Sequence, residues 1–221
     1  MTGAPAGDGD DRRGDVIAIA RAMGELGLSR GTSGNVSVRA GGDRWWITPT
    51  GMEYAALTVD DVPLVDADGR SEGRRMPSSE WRIHRDVYAC RPDVAAIMHA
   101  HSPFAVSIAC ARREVPAFHY LIARFGGDSV RCAGYAVFGS QELSDAAVAA
   151  LQDRTACLLA NHGMLVCAAD PGRLLAAAVE LEELCEQYWR TCQLGAPVLL
   201  TAEEMAQVRR RFAGYGQPGP G

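Results

Sequence analysis

Two histidines at the end of an apolar run constrain this chain more than any other feature in it. Residues 94–97 read as a buried strand leading into Met98-His99-Ala100-His101-Ser102. Strand residues two apart leave the same face about 7 Å apart, so His99 and His101 can aim two imidazoles at one point. A third, His162 in Asn161-His162-Gly163, lies between the apolar runs 157–160 and 164–168. That pattern of strand, turn and strand can deliver it to the same place. A bare His-x-His is common on half-exposed strands, and it is the third histidine that turns the pair into a candidate site. Three imidazoles with a fourth position open describe a catalytic metal centre rather than a closed structural one.

The other two histidines carry less. His84 falls on the exposed-looking side of a helix and reads as solvated, whereas His119 either lines a site or packs.

Around these residues, strands and helices interleave. Asp15 is placed to cap a helix over 15–26, with Gly27 just past its end. A small-residue loop, Gly31-Thr32-Ser33-Gly34-Asn35, enters a strand; 44–48 and 62–66 read as further strands, and Thr48-Pro49-Thr50-Gly51 as a turn. Pro77-Ser78-Ser79-Glu80 opens a helix to Cys90, with a serine cap and the acid in its first turn. Pro103 starts another helix, Ser144 one to Leu151, Pro171 a long one ending near Gln193, and Thr201 a last one to Phe212. The region 115–139 mixes strand-like and loop segments. The expectation is an α/β fold with a mixed, mostly antiparallel central sheet covered by helices. Residues 1–14, rich in Gly, Asp, Ala and Pro, read as a disordered tail, leaving 15–221 as one domain.

Composition excludes whole classes of chemistry. The chain contains no lysine, so all 22 basic residues are arginine. An enzyme forming a Schiff base needs an amine nucleophile, which closes that route. A net charge of −5 gives no basic footprint for nucleic acid and little attraction to an anionic membrane. No run approaches the ~20 apolar residues a spanning helix needs. Seven singly spaced cysteines and no apolar leader segment set the expectation of a cytoplasmic protein.

Glu80 adds a second element. A glutamate at a helix start is ordinarily a favourable interaction with the helix dipole. Here Ser78 and Ser79 precede it, and helix-start amides with two hydroxyls suit a phosphate. The loop 31–35 and the turn at Thr50-Gly51 can close the cradle with further backbone N–H groups. Together with a metal centre, this suggests a small phosphorylated substrate.

The segments G-T-S-G-N-V-S-V-R, T-P-T-G, P-S-S-E-W, H-A-H-S, P-A-F-H-Y-L-I-A and N-H-G, in this order, resemble the class II aldolase/adducin family. The similarity runs from about Val16 to Tyr215. The resemblance implies one Zn²⁺ per subunit on His99, His101 and His162, with Glu80 a fourth ligand in the absence of substrate and otherwise the catalytic acid/base. It implies phosphate contacts from Ser33, Gly34, Asn35, Thr50, Gly51, Ser78 and Ser79. Phe138, Tyr120 and Tyr215 would surround the aldehyde end, one of the tyrosines assisting proton transfer, in a homotetramer with sites at subunit interfaces. The implied reaction is reversible cleavage of a ketose 1-phosphate, of the L-fuculose 1-phosphate type, to dihydroxyacetone phosphate and a small aldehyde such as L-lactaldehyde. Alternatives within the family are a 5-deoxyribulose or 5-methylthioribulose 1-phosphate aldolase and a pentulose-5-phosphate 4-epimerase, in which an aspartate typically replaces Glu80. The family also includes adducin-like modules without catalysis, against which the three histidines and Glu80 weigh.

Overall fold

Alternation of apolar residues along the strands decides the architecture. In β5 (Ala96–Ala100), Ala96, Met98 and Ala100 enter one hydrophobic core and Ile97 enters another, so the strand is covered on both faces. The same split recurs in β7 (Ala156–Leu159) and β8 (Gly163–Ala168), whose Leu158, Met164 and Val166 join the first core and Leu159, Leu165 and Cys167 the second. The structure, a computed structural model, describes residues 11–214.

These strands belong to an eight-stranded sheet with β1 (Asn35–Gly41), β2 (Arg44–Ile47), β3 (Leu64–Asp66), β4 (Ser71–Glu72) and β6 (Cys132–Ala133). The order is β4-β3-β2-β1-β5-β8-β7-β6, antiparallel at every pairing except β6 with β7. Helices α1 (Arg13–Glu25), α3 (Pro103–Cys110) and α5 (Pro171–Leu194) supply the first core, and α2 (Trp81–Cys90) with α4 (Gln141–Ala150) the second. A last helix, α6 (Ala202–Ala213), adds Met205 to the first core. This is the expected single domain with a mixed sheet between helical layers. Among the described residues no helix is long and apolar enough to cross a membrane.

Three helix starts differ from the sequence reading. Helix α1 begins at Arg13, with Asp15 inside its first turn and ion-paired to Arg12 rather than capping. The segment read as a tail over 1–14 therefore includes the start of α1; residues 1–10 lie outside the described residues. Helix α4 is capped by Ser140, whose hydroxyl accepts from Leu143 N–H, while Ser144 is buried and donates to Asp86 instead. Helix α2 starts at Trp81, so Glu80 sits at the cap position itself, and the Ser78 hydroxyl accepts the Glu80 N–H rather than capping the helix. By contrast, Thr201 and Glu204 form the reciprocal capping box expected of that spacing, and Asp170 caps the proline-led α5.

Candidate metal centre and substrate cavity

Strand pairing sets the positions of the three histidines. Residue His99 pairs with Asn35 on one side and Leu165 on the other, and Ala100 pairs with Met164. His101 follows at the end of β5, while His162 occupies the tight β7–β8 connection, where Leu159 faces Gly163. Asn161 takes φ 54° in that connection, a left-handed conformation asparagine tolerates better than most residues. The connection is tethered to the end of α3, because Asn161 N–H donates to Ala109 O and Arg112 Nε donates to Asn161 Oδ1.

The imidazole rings converge, with centroids 4.6 to 5.0 Å apart. Their candidate ligand nitrogens all lie within 4.8 Å of one another. Met164 O accepts from His99 Nδ1 at 2.9 Å, which leaves His99 Nε2 as the lone-pair nitrogen, 2.9 Å from His101 Nε2. Burial, reinforced by His101, pushes His99 down to about 3, and burial pushes His162 down to about 4. Burial also lowers His101. All three rings are therefore neutral at pH 7, the form a metal requires of imidazole.

Glu80 completes the cluster. Its Oε2 lies 3.2 Å from His99 Nε2 and its Oε1 3.5 Å from His162 Nε2. The residue is only 6% exposed, and Oε1 has no hydrogen-bond partner. A buried carboxylate oxygen without a hydrogen-bond donor is costly, and here it stands at the imidazole cluster, 3.5 Å from His162 Nε2. That donor set, three imidazoles and a carboxylate, fits a tetrahedral divalent cation such as Zn²⁺.

Gly163 explains why the third histidine is followed by glycine. A Cβ there would lie 2.4 Å from Ala100 O, 3.0 Å from His101 Cδ2 and 3.2 Å from His99 Cε1. Gly34 is constrained as tightly: its φ is +81° and a Cβ would meet His99 O at 2.8 Å.

A cavity of about 350 Å³ opens over the cluster, within the size range of small-molecule sites. Ser33, Gly34, Asn35, Thr50, Gly51, Ser78, Ser79 and Phe138, from four separate segments, line it together with Glu80, His101 and His162. His99 is wholly buried behind it. The cradle differs from the sequence reading in its donors. The N–H groups of Ser33, Thr50 and Ser78 are already given to Arg30 O, Met76 O and Thr48 O. Hydroxyls of Thr50 and Ser78 therefore replace those amides as the groups these residues can offer an anion, whereas the Ser33 hydroxyl is itself given to Arg30 O.

One expected residue is not brought to this cavity. Tyr120 is 49% exposed and stacks on Phe212, at 6.2 Å between ring centroids, without lining the cavity. Tyr215 lies outside the described residues. His119 resolves to packing, since its ring lies between Phe118 and Tyr120 and its Nδ1 accepts from Leu121 N–H. Five lining residues were not among the named candidates: Thr32, Pro49, Tyr135, Ala136 and Asn161. Adjacency to Ser33, Thr50 and His162 was the available signal for three of them. His84 is the clear reversal: it is wholly buried and bonded to Ser37 and Asn35, not solvated. Its partners lie 47 and 49 residues away in sequence, so a polar position on α2 read as solvent-facing.

Residues 14–189 match the family described as Class II Aldolase and Adducin N-terminal domain. The chain is 48% identical over 204 residues to a 5-methylthioribulose-1-phosphate/5-deoxyribulose-1-phosphate aldolase of Rhodospirillum rubrum, covering 92% of each. It is 42% identical over 202 residues to the L-fuculose phosphate aldolase of Escherichia coli K12, covering 91% of this chain and 94% of that one. A solved L-fuculose 1-phosphate aldolase superposes with a TM-score of 0.88 at 37% identity, over 92% of this chain and 97% of its own.

Proposed function

Because this chain belongs to the class II aldolase and adducin family and is a lyase of its aldolase branch, we propose that it reversibly cleaves a ketose 1-phosphate to dihydroxyacetone phosphate and a small aldehyde. The observation that carries this reading is the joining of three neutral imidazoles, a buried glutamate and a hydroxyl-lined recess in one cavity. His99, His101 and His162, with Glu80, would hold one Zn²⁺. When bound, that cation supplies Lewis acidity, drawing off the electron pair released as the carbon–carbon bond parts. The absence of lysine leaves no iminium to do this instead.

The chain's own residues do the rest. Hydroxyls of Thr50 and Ser79, with the Ser33-Gly34-Asn35 and Gly51 segments, hold the phosphate at the recess end. Phosphate anchoring orients the substrate so that its C2 and C3 oxygens reach the histidine cluster, an entropic contribution of the kind positioning residues make. Glu80, which lines the cavity and whose buried Oε1 has no hydrogen-bond partner, moves the proton at the carbon that becomes the dihydroxyacetone phosphate methylol. Phe138 borders the aldehyde end. Tyr120 or Tyr215 would assist at the C4 oxygen from a neighbouring subunit of a homotetramer, consistent with Tyr120 standing exposed on its own chain.

Relatives of two specificities divide the choice of aldehyde. The 48% identity to the Rhodospirillum rubrum protein favours 5-deoxyribulose and 5-methylthioribulose 1-phosphates at least as strongly as L-fuculose 1-phosphate is favoured by the 42% relative. One methyl or hydroxyl at the far end of the substrate discriminates only modestly in a binding pocket. A cytoplasmic location accords with such metabolites. The test is kcat/KM over these three sugar phosphates and L-rhamnulose 1-phosphate, before and after chelation. Cleavage that survives complete metal removal, or no cleavage of any of the four by metal-loaded protein, would overturn the reading.

A further inference from the structure

Strand β1 is buried on both faces, yet alternate residues on one face are polar: Asn35, Ser37 and Arg39, between Val36 and Val38. Helix α2 lies on that same face, and Glu80, His84 and Tyr88 recur every fourth position from its cap onward. Two strand residues advance about 6.6 Å and four helical residues about 6 Å. The two polar rows therefore run in step and meet rung by rung.

The contacts form one chain. Tyr88 Oη lies 2.9 Å from Ser37 Oγ, which lies 2.6 Å from His84 Nδ1. His84 Nε2 lies 2.5 Å from Asn35 Oδ1, and Asn35 Nδ2 donates to Glu80 Oε2 at 3.0 Å. Arg39 seals the far end, its guanidinium 4.5 Å from the Tyr88 ring centroid and donating to Tyr88 O.

Only one set of proton positions satisfies every link. A carboxylate can only accept, so Asn35 must present its NH₂ to Glu80 and its carbonyl to His84. That carbonyl needs a donor, which places the His84 proton on Nε2. Burial pushes His84 down to about 3, so the ring is neutral and Nδ1 is a bare acceptor. Ser37 then donates to Nδ1 and accepts from Tyr88. Turning the Asn35 amide over would set carbonyl against carboxylate and NH₂ against N–H in a buried site, where unpaired polar groups are costly. An amide in the chain passes on orientation, not a proton.

We propose that His84 is a positioning residue for the aldolase reaction: its Nε2–H fixes which way the Asn35 amide faces, and through that amide holds Glu80 at the metal centre. This rests on the role given to Glu80 above. The test compares His84→Gln, whose amide can supply an N–H at the Nε2 position, with His84→Asn, which reproduces only the Nδ1 side, and with Tyr88→Phe, which cuts the chain beyond His84. Each is assayed for kcat, KM, bound zinc and Tm on whichever ketose 1-phosphate the wild type cleaves.

Misplacement by about 1 Å can cost on the order of 100-fold. His84→Asn is accordingly expected to lose roughly 10- to 100-fold in kcat, with KM within about threefold and zinc content retained. His84→Gln is expected to recover most of that loss. Tyr88→Phe is expected to lower Tm while leaving kcat within about twofold, the size of an indirect effect. Undiminished kcat in His84→Asn, equal losses in the Asn and Gln variants, or a kcat loss in Tyr88→Phe matching that of His84→Asn would overturn the proposal. If wild-type protein cleaves none of the sugar phosphates, the assignment of function fails instead.

Discussion

Replacing Gly163 by alanine places one methyl group where two of the proposed metal-binding side chains converge. The added carbon would stand 2.4 Å from Ala100 O, whereas ordinary contact begins near 3.4 Å. The backbone of the β7–β8 connection and the end of β5 must therefore separate by roughly 1 Å, and overpacking of this kind costs about 1–3 kcal/mol. The Ala100 carbonyl lies between His99 and His101 in sequence, so neither ring can stay in place while it moves. The same methyl would press on His101 Cδ2 at 3.0 Å and His99 Cε1 at 3.2 Å. Strain and function should separate: a 1–3 kcal/mol penalty leaves the protein folded, but displacing ligands by about 1 Å should reduce kcat/KM about 100-fold. The assay is kcat/KM with added zinc, alongside zinc stoichiometry after dialysis and Tm. Full activity with one tightly held zinc in folded Gly163→Ala would refute the claim that this glycine exists to admit the imidazoles.

Glu80→Gln should retain fold and metal but lose about 10²- to 10⁴-fold in turnover, the range of a general acid/base contribution; steady-state cleavage near the wild-type rate would remove Glu80 from that role. His162→Ala should lower zinc stoichiometry after dialysis by at least about tenfold in affinity terms, and an unchanged content would show the ligand set to be different. Stability should also respond to pH through His84. Its unfolded value is 6.5 and its folded value about 3, so below pH 6.5 the unfolded chain takes up a proton that the folded one refuses. The contribution is intact above 6.5 and declines as pH falls toward 3. His84→Gln should lessen the slope over that stretch of a stability–pH profile measured by urea unfolding, to which His99 and His162 also contribute, and an unaltered slope would contradict the buried neutral ring.

Strand β5 and the β7–β8 hairpin were legible because their apolar runs and turn residues act locally, and the histidines within them inherit their directions from the strand period. The small-residue loops were legible as cavity material for a similar reason: Gly34, with its positive φ, leaves few alternatives at that position. What could not be read were features decided by distant partners. Ser140 rather than Ser144 caps α4 because Ser144 is drawn inward to Asp86, which lies 58 residues away in sequence. His84 looked solvent-facing because nothing near it in sequence reveals that Ser37 and Asn35 present a matching polar row. Its burial could have been suspected only by setting the four-residue period of α2 beside the two-residue period of β1. The hydrogen-bond donors lining the cavity could not be read for a like reason, since Thr50 N–H and Ser78 N–H are claimed by Met76 O and Thr48 O across a loop.

The sheet ends on either side in a strand of only two residues, Ser71–Glu72 and Cys132–Ala133. An open sheet of eight strands would otherwise present long rows of unsatisfied peptide groups, an invitation to runaway polymerisation. Truncated margins leave too little template for another molecule to extend the hydrogen-bonded ladder. Any association with further copies would therefore proceed through helices, loops and side chains, contacts that can close on themselves into a finite particle rather than grow into a fibre.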